Sequence, residues 1–377
     1  MIYLDYAATA PVPPEVADAV YTVLREQWGN PSSQYAAGLA MKKQVEGWRS
    51  TVAALLDCPA EGLYFTSCGT EGDNWALRAA AWQNRHVGRH IVTTAVEHSA
   101  VLECCKWLER DGYEVTYVTP DQDGNITAEQ VLEAVRPDTA AVSVMYVNNE
   151  LGTCYPVQSI ARGLPARNPK TLLHTDAVQA LGTFSAKDSG ADFVTISAHK
   201  TGGPKGIGAL YIGPRVRNPR PLLPGGGQER GLRSGTEATA QIAGFAKAAE
   251  LRLERRTEIQ AHLAGLKAHA LERLHGFPDL TVLGRVSETA PHILAVSLAG
   301  WPSQNIVNDL SSQGICISAG SACHQGKPSH VVKALNLPKR VSSGVIRLSF
   351  GPETTEADID ACVSALRIHH DSRMPML

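Results

Sequence analysis

The chain has 377 residues, 44% hydrophobic and 19% charged, with a formal net charge of −2. That balance suits a globular protein with a full core and leaves no overall field to recruit nucleic acid or an anionic membrane. No apolar run approaches the roughly 20 residues of a membrane helix, and the opening "MIYLDYAATAPVPPEV" lacks the charged-then-apolar pattern of a leader. The expectation is a cytoplasmic protein with no membrane and no direct nucleic-acid partner. At about 150 residues per domain, the length suggests two domains.

In chain order, the first dozen residues are extended and Pro-rich. From about 60 to 215, short apolar runs alternate with helical patterns. Strands are predicted at 62–66, 90–95, 113–118, 139–147, 171–176, 192–197 and 208–213. Helical spacing of apolar residues marks 73–84 and 99–112. The alternation predicts an α/β fold: a mostly parallel seven-stranded sheet flanked by helices. Between 197 and 208 lie only about ten residues, rich in Gly and Pro. A parallel crossover needs a dozen or more, so the strand at 208–213 is expected to return antiparallel.

A charged helical stretch, 246–276, reads as a connector. Beyond it, strands are predicted at 292–300, 315–320 and 344–351, with helices at 302–313, 328–336 and 355–368. This gives a large α/β domain over 12–250 and a smaller α+β domain over 251–377, joined by residues 1–11.

There are eight cysteines. No C-x-x-C pair or zinc-type spacing appears, so no metal is expected, and most thiols read as small buried hydrophobes. Cys323 differs. It lies in "SACHQGKPSH", between a strand and a Pro-started helix. Small residues and glycines there predict an exposed, mobile segment and a reactive thiol. The adjacent His324 is either its base or simply solvated.

Ligands in open α/β sheets bind beyond the carboxyl ends of the strands. Those positions carry a short list. "SCGTEGDN" after the first strand opens a helix, a natural phosphate cradle. His98 follows the next strand, and Asn148 follows 139–147. Asp176, with Gln179 three residues on, follows 171–176. Ser197, His199 and Lys200 follow 192–196. Singly, each has a plain reading: a helix cap, a core His, a turn Asn, a surface Lys. Jointly they suit pyridoxal 5'-phosphate. An amine forms a Schiff base with its aldehyde, an acid pairs with its ring nitrogen, and a helix start holds its phosphate. The glycines of "SAHKTGGPKG" let the backbone pass such a group closely.

The motifs "LDYAATAPV", "GNPSS", "FTSCGTEGDN", "EHSAVL", "VNNELGT", "HTDAVQALG", "SAHKTGGPKGIGALYI", "GGGQERGLRSGT", "SAGSACH" and "IRLSFG" run in order along nearly the whole chain. Together they resemble the cysteine desulfurases, class V aminotransferases of the fold-type I pyridoxal phosphate enzymes. The resemblance implies that Lys200 carries the cofactor, Asp176 pairs with the ring nitrogen and Gln179 touches the phenolic oxygen. It implies that His98 stacks on the ring with Asn148 beside it. Gly69, Thr70, Ser197 and His199 would hold the phosphate, helped by Thr236 across a homodimer interface. Arg347, with Asn30 as helper, would bind the substrate carboxylate. Cys323, Lys200 and His98 would be catalytic. Cys323 would take sulfur from L-cysteine, leaving alanine and a persulfide for an acceptor protein.

The chain departs from the family pattern at Cys68, where the phosphate turn usually has a small Gly, and at Tyr35, where a His is common. The loop between Cys323 and Ser329 is shorter than in the forms that feed iron–sulfur scaffolds. The alternatives are a selenocysteine lyase, another pyridoxal-phosphate-dependent C–S lyase or aminotransferase that ignores Cys323, and a scaffold without chemistry. Iron–sulfur assembly, tRNA thiolation, a thiocofactor and DNA sulfur modification all stay open as destinations of the sulfur.

Overall fold

The computed structural model describes residues 1–180, 184–319 and 329–372. Strand β1 (Ile2–Tyr3) begins the chain. Seven strands then build one sheet: β2 (Leu63–Thr66), β3 (His90–Thr94), β4 (Glu114–Val118), β5 (Thr139–Ser143), β6 (Leu172–Asp176), β7 (Phe193–Ser197) and β8 (Gly208–Ile212). Their order is β2-β8-β7-β6-β5-β3-β4. All neighbours are parallel except β8, which runs antiparallel to β2 and β7. The seven predicted strands and the antiparallel return are all present.

Strands β3, β5, β6, β7 and β8 are buried at every position. That is why they read as apolar or β-branched runs without alternation: helices cover both faces. The helix Gly69–Gln83 lies close on β7 because Gly72 allows it. A Cβ there would sit 2.7 Å from Thr195 Cγ2. This contact sets where the next residue, Asp73, points.

A second sheet contains β9 (Leu280–Val282), β10 (Ile293–Leu298), β12 (Ser318–Ala319) and β13 (Val345–Ser349), in the order β12-β13-β10-β9. Strand β11 (Ile315–Cys316) pairs instead with β1, in parallel. The predicted strand 315–320 is thus two short ones: the chain steps from one sheet to the other at buried Ile317. The stretch 139–147 is a strand only to Ser143. Beyond it Val144 and Tyr146 still donate to His174 and Asp176 carbonyls before the turn at Asn148.

The connector 246–276 is two helices rather than one, Thr239–Glu254 and Arg256–Leu274, broken at Arg255. The first packs on Pro14–Glu26 and Ala36–Leu56, the second on Glu356–Ser372. The two apolar faces point into different cores, and the charged run between them has nothing to bury across the break. The N-terminal segment serves both cores. Leu4 packs with the second one, and the Ala10 amide donates to the His199 carbonyl at 2.8 Å.

Among the described residues, no helix is long and apolar enough to cross a membrane.

Candidate active site

A cavity of about 440 Å³ lies at the carboxyl ends of the parallel strands, closed on one side by the N-terminal segment and by β12 and β13. Lys200 enters it from the 3₁₀ turn Ala198–Lys200 that follows β7. Gly208 keeps that loop tight, since a Cβ would lie 2.7 Å from the Ile196 carbonyl. Lys200 Nζ donates to the carbonyls of Ala7 and Ala8 at 2.7 and 2.8 Å. Burial, then the nearby Arg347 charge, pull its amine down to about 8. Roughly a tenth is therefore neutral, and nucleophilic, at pH 7, far more than for an unperturbed lysine.

Opposite stand the acids. Asp176, at the end of β6, lines the cavity and accepts from the Val178 amide at 2.9 Å. Burial pushes it up to about 7, with repulsion from Asp73 second. Asp73, one turn into the helix Gly69–Gln83, is 1% exposed and likewise pushed up to about 7 by burial. Asp73, His98 and Asp176 each offer an atom within 4.8 Å of the others. His98 Nδ1 accepts from the Ala100 amide at 3.1 Å, capping the helix Ser99–Arg110, so the remaining N–H is at Nε2.

A cradle for an anion lies beside them. The helix Gly69–Gln83 has no side-chain cap at Cys68, so its first N–H groups face the cavity. Thr70 lines the cavity there. Ser197 Oγ, 2% exposed and also lining the cavity, has no hydrogen-bond partner. A buried hydroxyl without a partner is a costly arrangement that a ligand oxygen would relieve. His199 Nδ1 sits 3.3 Å from Thr9 Oγ1, and burial lowers it to about 4, so it is neutral. A helix start beside the unpartnered Ser197 hydroxyl, an amine lowered by burial and a buried acid form a donor set that fits a phosphorylated pyridine aldehyde.

Across the cavity, Arg347 on β13 is held at both ends of its guanidinium. Nη1 donates to the Asn149 carbonyl and Nη2 to Asp5 Oδ1, each at 2.6 Å. Its buried Nε has no partner. Glu150 is pushed up to about 7 by burial and accepts from Ser329 Oγ at 2.5 Å. Ser329 also caps the helix His330–Ala334.

The structure thus brings Gly69, Thr70, His98, Asp176, Gln179, Ser197, His199, Lys200 and Arg347 onto one cavity. Asn148 is not brought there. It is fully buried, donates to the Val96 carbonyl and accepts from the amides of Glu150 and Leu151, so its amide is spent on the turn. Asn30 is exposed and accepts from the Ser32 amide. Thr236 is exposed and does not line its own chain's cavity. Cys323 and His324 lie outside the described residues. Sequence reasoning missed Asp73, Glu150 and Asp5. Helical spacing from Gly69 puts Asp73 on the sheet-facing side and could have found it; the other two carry no local signal.

The family model for class V aminotransferases matches residues 2–362. The chain belongs to that family. Within it the chain is 43% identical, over 373 residues, to a cysteine desulfurase of Trichormus azollae, covering 97% of this chain and 92% of that one. A solved NifS-like protein shares the fold with a TM-score of 0.92 at 35% identity, covering 99% of this chain and 100% of that one. The structure described as SspA in complex with cysteine matches with a TM-score of 0.82 at 30% identity, covering 94% and 100%.

Proposed function

We propose that the protein is a pyridoxal-phosphate-dependent cysteine desulfurase that moves sulfur from L-cysteine to Cys323 and on to an acceptor protein. The observation that carries this is the facing of Lys200 and Asp176 across one cavity that also holds the open helix start at Gly69 and Thr70. When bound, the cofactor acts as an electron sink for bonds at the substrate carbons. Lys200 Nζ is the amine that takes its aldehyde. Asp176 receives the ring N–H, and His98 covers the ring face. Gly69, Thr70, Ser197 and His199 hold the phosphate, while Gln179 supports the ring's edge; Asn148 acts from behind the site, through its bond to the Val96 carbonyl two residues before His98. Arg347 binds the substrate carboxylate.

Lys200 Nζ and His98 Nε2 are the groups placed to move protons at the substrate carbon. The Cys323 thiolate attacks the substrate sulfur. An S–S bond forms as the C–S bond breaks, the electron pair stays with the substrate carbon, and a proton completes alanine. The same reading makes the protein a cytoplasmic homodimer in which Thr236 completes the partner's phosphate site. The similar structure of SspA in complex with cysteine supports the substrate. The test is spectroscopic and chemical together. The purified protein should carry a visible absorption band that Lys200→Ala loses, and should convert L-cysteine to alanine. A colourless protein that cannot be loaded with pyridoxal phosphate refutes the reading.

A further inference from the structure

Asp73 is an acid of this cavity, on the side of Asp176, to which the resemblance gives no role. It is 1% exposed, lines the cavity, and its Oδ1 has no hydrogen-bond partner. His174 Nε2 is 3.5 Å away, but that nitrogen is engaged with Thr195 Oγ1 at 3.0 Å, and Nδ1 with Ser143 Oγ at 2.8 Å. Burial drives His174 down to about 4, so it is neutral and the contact is no ion pair. Asp73 is therefore a buried acid without an ion-pair partner, and a carboxylate oxygen of Asp73, one of Asp176 and a ring nitrogen of His98 lie within 4.8 Å of one another.

The other titratable groups around the pair are Glu97 and His98 after β3, His174 on β6, Lys200 after β7, and Cys104 on the helix Ser99–Arg110. Lys200 is turned toward the carbonyls of Ala7 and Ala8. Two carboxylates this close in a low-dielectric wall do not both ionise freely, because each charge raises the cost of the other.

We propose that Asp73 is a positioning residue for the ring-nitrogen pairing: through its charge it sets the pH at which Asp176 is ionised and ready to receive the ring N–H. This rests on the pyridoxal phosphate reading above. Asp73 needs no contact with the cofactor to do it. It acts through Asp176, and Gly72 fixes its position by letting the helix sit against Thr195.

The experiment is equilibrium binding of pyridoxal phosphate to stripped protein, followed by the visible band, across a range of pH. In the wild type, affinity should rise with pH through about 7, as Asp176 loses its proton. Asp73→Asn keeps the shape and removes the like charge. Its midpoint should fall by about one pH unit, so that the variant gains roughly tenfold on the wild type at the acid end relative to the alkaline end. Asp73→Ser should shift the same way. A merely structural role would change affinity equally at every pH. Two folded variants with the wild-type midpoint, or a midpoint moved upward, overturn the proposal. Failure of the wild type to bind pyridoxal phosphate at all would instead overturn the reading beneath it.

Discussion

Arg347 Nη2 lies 2.6 Å from Asp5 Oδ1, so the guanidinium assigned to the substrate is oriented by the fifth residue of the chain. The pair joins β13 to the segment that also supplies the carbonyl partners of Lys200. Substrate arm and cofactor arm are thus anchored on the same few N-terminal residues.

Arg347→Lys should raise KM for L-cysteine by about 10- to 100-fold and leave pyridoxal phosphate affinity nearly unchanged. A lysine keeps the charge but loses the planar fork that grips a carboxylate. Asp5→Asn should raise KM less, since an acceptor oxygen remains. Steady-state kinetics with separate kcat and KM checks both.

Lys200 is lowered to about 8, and only its neutral form attacks an aldehyde. The rate at which stripped protein captures pyridoxal phosphate should therefore rise with pH and level off above about 8. Stopped-flow absorbance gives the profile. A rate still climbing steeply well above that pH would mean the amine is not desolvated.

The positions of Lys200, Asp176, His98 and Ser197 at strand ends were legible because buried strands announce themselves as short β-branched runs. The antiparallel return of β8 was legible from loop length alone. The break at Arg255 was not. Both halves have helical periodicity, and only the three-dimensional packing tells that they bury into different cores. Asp73 was legible only as a sheet-facing helical position; how deeply it is buried depends on how closely Gly72 lets the helix approach β7. Asp5 met Arg347 from 342 residues away, a distance no local pattern spans.

Glu97 gives a pH dependence of stability. It is fully buried and pushed up to about 8 from 4.5 by burial. Between those values the folded state keeps a proton that the unfolded state has released, so stability falls as pH rises and the fall ends near 8. The buried neutral histidines act in the opposite sense, but only below about 6.5. From about pH 6.5 to 8 the cofactor-free protein should lose stability, and Glu97→Gln should remove roughly 1–2 kcal/mol of that loss. Denaturant titrations at both pH values measure it.

Arg49 and Glu229 form a two-bond pair at 2.7 and 2.8 Å, both residues buried. Glu229 also accepts from the Phe65 amide, and Arg49 donates to the Leu63 carbonyl, so the pair ties the helix Ala36–Leu56 to β2 and to the segment carrying Arg233. Arg49→Met strands a buried carboxylate and should cost about 3–5 kcal/mol. Adding Glu229→Leu should recover most of that cost. A double variant as unstable as the single one would show that packing, not charge, dominates there.

The most direct measurement is a single turnover of cofactor-loaded protein with L-cysteine, quantifying alanine and mapping persulfide by peptide mass. The account predicts one alanine per site, sulfur on Cys323, and neither product from Cys323→Ser, although that variant keeps its cofactor band and still changes it on adding L-cysteine. Alanine formed by Cys323→Ser at the wild-type rate would contradict the account and make the protein a lyase that needs no protein thiol.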